Sequence, residues 1–155
     1  LWNMLPVNSE AKTAVVTGKQ VWDWLEKELQ NAFAKDPSKR FGGWFVRYNG
    51  MEVNFTIGNE FGKRVNSVKV GGEPIDLTKE YSIVACEREG DPEDTLCRIE
   101  HVKNPKKSPL LMHDVIIEYL KDHSPVSPNL EGRAIATDEP QTLLTQLKGT
   151  TYEFR

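Results

Sequence analysis

The chain has 155 residues, 38% hydrophobic and 28% charged, with 20 Lys+Arg against 23 Asp+Glu and a formal net charge of -3 at pH 7. That length and apolar share suit one domain of roughly 100 to 200 residues with a hydrophobic core, and they exclude a disordered chain. The acidic balance excludes a general nucleic-acid binder, which needs a basic stripe against phosphates, and no apolar run reaches the roughly 18 to 20 residues needed to span a bilayer as a helix.

Leu1 and Trp2 open the chain with no charged leader or apolar stretch, the pattern expected of a processed, trimmed or excised piece. Ala14, Val15 and Val16 form a short strand-like run. Thr17, Gly18, Lys19 and Gln20 then read as a capping box, in which the Thr17 hydroxyl accepts from the Gln20 N–H and the Gln20 side chain reaches back to Thr17. The helix that follows is expected to bury Val21, Trp22, Leu25, Leu29, Ala32 and Phe33. Lys19, Asp23, Lys27 and Glu28 fall largely outside that face, and Asp36 and Pro37 end the helix.

Trp44 to Tyr48 and Met51 to Thr56 are β-rich runs separated by Asn49-Gly50, the dipeptide suited to a type I′ turn, which predicts a hairpin. Val65 to Val70 repeats the alternation, Gly71 and Gly72 turn the chain, and Tyr81 to Ala85 reads as an interior strand. Ser108-Pro109 predicts the start of a second helix with Leu111, Met112, Val115, Ile116, Tyr119 and Leu120 on its apolar face. Two prolines within Ser124 to Pro128 end that helix. Arg133 to Thr137 and Tyr152 to Phe154 are expected as short closing strands. The elements together predict an α+β fold: a mixed β-sheet with hairpins and two main amphipathic helices, in a single domain spanning residues 1–155.

Signals for chemistry are sparse. His101, His113 and His123 lack the spacing of a zinc-binding HExxH helix, so no metal site is expected in the chain. Gly42-Gly43 and Gly71-Gly72 have no phosphate-loop context, and no GxSxG elbow singles out a serine. Asp114 and Glu118 lie one turn apart, but with Lys121 and Asp122 they read as a solvated face and not as a catalytic carboxylate pair. Cys86 and Cys97 bracket five acidic residues, the wrong field for a thiolate nucleophile. They are either a disulfide pair or two buried thiols. No catalytic residue is identified on these grounds, and the residues describe a binding or accessory module, the alternative being an enzyme whose catalytic residues carry no motif.

Several segments carry a family resemblance. RVNSVKVGGEPIDLTKEYSIVA, Arg64 to Ala85, resembles the signature of the C-terminal domain of the 5′-nucleotidase family. LPVNSEAKTAVVTGKQVWDWLE, Leu5 to Glu26, resembles that domain's opening segment, and LLMHDVIIEYLKDHSPVSPNLEGRA, Leu110 to Ala134, its late helix and closing Glu-Gly-Arg strand. The middle stretch from Leu25 to Met51 is similar to the thiosulfohydrolase branch of sulfur oxidation within the same superfamily.

The resemblance implies a substrate-binding, specificity-giving C-terminal domain of an exported, periplasmic or otherwise secreted hydrolase. Catalysis, with a divalent metal pair such as manganese or zinc, would reside in an N-terminal metallophosphoesterase domain whose Asp-x-His and Gly-Asn-His-Glu motifs do not occur in this sequence. The domain alone is then catalytically silent and holds no cofactor. The substrate is either a nucleotide phosphate ester or, in the thiosulfohydrolase-like branch, an S-sulfonated thiol on a carrier protein.

The family's two base-stacking loops align with Pro6 to Ser9 and with Glu89 to Pro92, and neither keeps its aromatic ring. The implied ligand-facing residues are Val7, Asn8 and Ser9 on one wall and Arg88, Gly90 and Asp91 on the other. The Arg88 guanidinium suits an oxyanion. Export favours a disulfide between Cys86 and Cys97. A reading from another class is a non-enzymatic interaction module with an exposed tryptophan patch.

Overall fold

Strand, cap and helix follow one another at the start as the local pattern dictates. In the computed structural model, which describes residues 1–42, 45–86, 88–127 and 131–138, the elements run β1 (Glu10–Thr17), α1 (Gly18–Phe33), a 3-10 turn (Pro37–Lys39), β2 (Met51–Phe55), β3 (Val65–Val70), β4 (Glu73–Pro74), β5 (Glu80–Cys86), β6 (Lys103–Leu111), α2 (Met112–His123) and β7 (Ala134–Ala136). The fold is α+β. The chain gathers into two units, Leu1–Trp24 with Asp76–Leu130 and Leu25–Ile75 with Glu131–Arg155.

In the first unit β1 is the middle strand of a three-stranded sheet ordered β5-β1-β6, antiparallel to both neighbours. Ala14 and Val16 of β1 are buried, as are Val21 and Trp24 of α1 and Leu96, Ile99 and Val102 of the segment leading to β6. The capping box forms as expected: Gln20 N–H donates to Thr17 Oγ1 at 3.2 Å, and Thr17 N–H donates to Gln20 Oε1 at 2.9 Å. Two further N–H groups of the first turn, those of Gly18 and Lys19, donate to the carbonyls of Lys79 and Leu77.

The second unit is a four-stranded sheet ordered β4-β3-β2-β7, in which β2 pairs antiparallel with β3 and parallel with β7. Its core is Leu25, Leu29, Ala32, Ala34, Val53, Phe55, Val65 and Val68. The Phe33 and Phe45 rings pack on Phe55 with centroids 6.2 and 5.2 Å away. The Arg64 side chain is buried and donates to the Ile57 carbonyl, to Gln30 Oε1 and to the Phe33 carbonyl. It thereby helps to satisfy the C-terminal end of α1, which has no basic residue of its own in its last turn. Glu26, also buried, accepts from the N–H groups of Gly62 and Val65.

Several sequence expectations are corrected. The hairpin through Asn49-Gly50 does not form, because residues 45–48 are not a strand and β2 takes β3 and β7 as its two neighbours. Gly50 still adopts φ +79°, and its carbonyl accepts from Gly71 N–H at 3.1 Å, closing the β2–β3 ladder. Tyr48 is tied to the approach to β7: its hydroxyl donates to the Arg133 carbonyl, and Arg133 Nη1 donates back to the Tyr48 carbonyl.

Tyr81 to Ala85 lies in an edge strand of its sheet, with Val84 at 69% exposure, so its β-branched run reflects strand propensity and not burial on both faces. Within α1, Trp24 takes the buried place expected of Trp22, which is half-buried, and Glu28 is buried instead of outward.

The second helix begins at Met112, not at Ser108-Pro109. Those two residues belong to β6, where the register with β1 shifts between Lys107 and Leu111. A second shift falls between Lys103 and Lys106 and contains Asn104 and Pro105. Proline has no N–H for a ladder, so both prolines occupy irregular positions of an edge strand. The lysines and prolines of β6 also make a poor template for further strand pairing. The expected strand at Tyr152 to Phe154 lies outside the described residues.

Candidate functional site

The register of the first sheet brings the chain segments next to the residues named from sequence to one end of that sheet. Ala11 pairs with Cys86, so the segment entering β1 and the segment leaving β5 lie at the same end of the sheet. Glu10 pairs with Leu111 on the other side of β1, which brings the start of α2 to this end as well. Three chain segments converge because antiparallel neighbours exchange ends.

The first wall is held by α2. Ser9 is half-buried and its carbonyl accepts from Met112 N–H at 3.1 Å, while Asn8 Oδ1 accepts from His113 N–H at 2.9 Å. The residue preceding α2, Leu111, makes no side-chain cap, so Asn8 supplies one from a distant part of the chain. Asn8 therefore has a structural task whatever else it meets. Val7, between these anchors and Leu5, is 64% exposed.

The second wall is a turn. Arg88 and Gly90 are exposed, and Asp91 is half-buried with its N–H donating to the Arg88 carbonyl at 3.2 Å. Gly90 adopts φ +87°, which a residue with a Cβ rarely enters. Beyond the turn, Cys97, Arg98 and His101 have φ values of 52°, 67° and 57°, left-handed conformations that cost non-glycine residues of order 1–2 kcal/mol each.

Bonds from β1 and α1 hold this segment. Lys12, 3% exposed, donates through Nζ to the Glu93 carbonyl at 2.7 Å. Trp24 Nε1 donates to the Cys97 carbonyl at 2.8 Å, and Gln20 Nε2 donates to the carbonyls of Glu100 and His101. Within the loop His101 Nδ1 lies 2.9 Å from Asp94 Oδ2. The loop that carries Arg88, Gly90 and Asp91 is thus anchored downstream and exposed at its tip. A ligand-binding wall needs that combination.

Sequence reasoning named the tips of both loops and missed their anchors, Lys12, Gln20, Trp24 and His113. No local sequence signal points to His113, whose partners lie more than a hundred residues earlier. Cys97 is half-buried, and the side chain of Cys86 lies outside the described residues.

Other features lie elsewhere in the chain. Two shallow depressions of about 240 and 290 Å³ sit in the second unit, the first lined by residues including Glu52, Lys69 and Arg133, the second by Phe45, Tyr48 and Ala134 among others. Neither contains any of the six residues named from sequence. Burial pushes the Tyr48 phenol up to about 12 against the opposing field of Arg133, which keeps it protonated as a donor to the Arg133 carbonyl. Among the described residues no three of His, Cys, Asp and Glu stand together as a metal set, and no helix is long and apolar enough to cross a membrane.

Comparison with known proteins agrees with this architecture. The chain is 26% identical over 139 residues to protein 5NUC of Lutzomyia longipalpis, covering 84% of this chain and 24% of that protein. It is 27% identical over 137 residues to the trifunctional nucleotide phosphoesterase protein YfkN of Bacillus subtilis (strain 168), covering 84% of this chain and 9% of the relative.

Among solved structures, the 5′-nucleotidase precursor of Thermus thermophilus superposes with a TM-score of 0.64 at 21% identity, over 90% of this chain and 27% of the other. The sulfate thiohydrolase SoxB of the same organism gives 0.63 at 22% identity, over 85% of this chain and 23% of the other. The chain thus spans about a quarter or less of the length of these relatives. Residues 1–87, more than half of the chain, match the family described as 5′-nucleotidase, C-terminal domain, and the chain belongs to that family.

Proposed function

We propose that this chain is the substrate-binding and specificity domain of an exported, metal-dependent hydrolase of the 5′-nucleotidase family, with the walls Val7-Asn8-Ser9 and Arg88-Gly90-Asp91 facing the substrate. The observation that carries the reading is the convergence of both loops at one end of the β5-β1-β6 sheet, in a chain of this family. Catalysis belongs to an N-terminal metallophosphoesterase domain outside these residues. Its divalent metal pair, manganese or zinc, would polarise the scissile phosphate or sulfate group and activate water. This chain's residues bind and orient. The exposed Arg88 would meet an oxyanion with its planar fork, and the exposed Val7 would offer an apolar contact in place of a stacking ring.

Two substrate classes fit these walls: a nucleoside monophosphate and an S-sulfonated thiol. The absence of aromatic rings from both loops favours the second, since each lost stack removes about 1–3 kcal/mol of affinity for a base. Export places Cys86 and Cys97 in an oxidising compartment as a disulfide beside the second wall. The test is hydrolysis by the intact protein, supplied with manganese, of adenosine monophosphate and of S-sulfocysteine. Turnover of S-sulfocysteine with weak activity on the nucleotide is expected. Turnover of neither would leave the domain as an interaction module and end the hydrolase reading.

A further inference from the structure

His113 is the sole buried residue of α2, at 4% exposure, and its backbone N–H, its Nε2 and its ring each reach into the first nine residues of the chain. Its Nε2 is 2.7 Å from the Leu5 carbonyl oxygen. A carbonyl only accepts, so Nε2 carries the proton and donates. The Trp2 ring meets the imidazole edge-on, with centroids 4.4 Å apart and planes at 76°. The backbone N–H of His113 donates to Asn8 Oδ1, and the preceding N–H, from Met112, donates to the Ser9 carbonyl. Two consecutive residues thus fix Trp2, Leu5, Asn8 and Ser9 and leave Val7 projecting between the fixed points at 64% exposure.

From this geometry we infer that His113 is a positioning residue for substrate recognition, whose Nε2–H to Leu5 bond sets the conformation of the Val7-Asn8-Ser9 wall. The inference rests on the proposed function, in which that wall faces substrate, and adds the device that shapes it. Removing the donor while keeping the ring leaves the Leu5 carbonyl without this partner and frees the loop between Leu5 and Asn8. The helix is retained, because its N-terminal N–H groups still meet Asn8 and Ser9. Substrate affinity changes and the remote chemical step does not.

The test compares His113→Phe, which keeps the ring and its contact with Trp2, with His113→Gln, whose amide still donates at a similar reach. It is run on the intact protein with manganese and whichever of adenosine monophosphate and S-sulfocysteine it hydrolyses. His113→Phe is expected to raise KM about tenfold with kcat within twofold of wild type, and His113→Gln to return KM to within threefold. An unchanged KM in His113→Phe overturns the inference, as does a His113→Gln variant impaired to the same degree. Val7→Asp and Arg88→Ala serve as controls for the walls. If they shift KM and His113→Phe does not, the positioning role alone fails, whereas a KM insensitive to both controls removes the wall reading itself.

Should His113→Phe not fold, nitrogen-15 spectra of histidine-labelled wild-type protein decide the matter. The Nε2–H tautomer, with that proton protected from exchange, is expected at His113. An unprotonated Nε2 would overturn the bond on which the inference stands.

Discussion

Helix α1 buries Val21, Trp24, Leu25 and Leu29, whereas α2 buries His113 alone and leaves Val115, Ile117 and Tyr119 at 46%, 40% and 55% exposure. In sequence the two look alike, each an apolar stripe at three and four residue steps. Their N-termini are also held in similar fashion, by acceptors from elsewhere in the chain: the Lys79 and Leu77 carbonyls for α1, and Ser9 and Asn8 for α2. The difference lies along the helix bodies. A stripe at helical spacing therefore predicts a helix, and only tertiary context decides whether its face enters the core. The body of α1 contributes to stability. The described contacts of α2 concentrate at its first turn, where it orders the segment leading into β1.

This contrast can be broken by substitution, with the largest effect expected in α1. Leu29→Ala removes a side chain with no exposed surface and should cost about 2–5 kcal/mol in urea unfolding. A loss below about 1 kcal/mol would show that the α1 face is not a packed core. Gly18→Ala comes next. A Cβ at that position would clash with the Asp76 carbonyl oxygen, so the start of α1 and the Asp76 turn must separate, at about 1–3 kcal/mol or more.

Asn8→Ala deletes the distant cap of α2 and should cost about 1 kcal/mol, with faster amide exchange at His113 as its local signature. Exchange unchanged at His113 would mean that Asn8 does not cap this helix. The smallest effect is expected from Val115→Ser, on the exposed face of α2, within about 0.5 kcal/mol of wild type. A cost like that of Leu29→Ala would erase the contrast between the helices.

What could be read from sequence follows the distance over which each determinant acts. The capping box at Thr17 and Gln20 involves partners three residues apart, and it formed where the sequence placed it. Val65 to Val70 became β3 with the same limits, because alternation is local and its partner β2 is close in the chain.

The start of α2 departs from the local helix signal at Ser108-Pro109 because pairing between β6 and a strand about ninety residues earlier overrides it. The Asn49-Gly50 hairpin failed for the same kind of reason: β7, some eighty residues later, occupies the second edge of β2. His113 could not be singled out, since its acceptor Leu5 lies 108 residues away and no local pattern announces a buried imidazole. The six wall residues came from family resemblance and not from periodicity. The strand ends next to them, at Ala11, Cys86 and Leu111, share one end of a sheet through pairings that no single segment encodes.

The central claim is that the loops at this end of the first sheet meet the substrate. The most direct test is the steady-state kinetics of the intact protein carrying Arg88→Ala and Asp91→Ala together, with manganese and its hydrolysed substrate. Both residues lie in a turn at the sheet's end, with Arg88 exposed, so the double variant should fold normally. KM is expected to rise about tenfold or more, corresponding to about 1.4 kcal/mol of lost substrate binding, with kcat within twofold of wild type. A double variant with wild-type KM and kcat would contradict it.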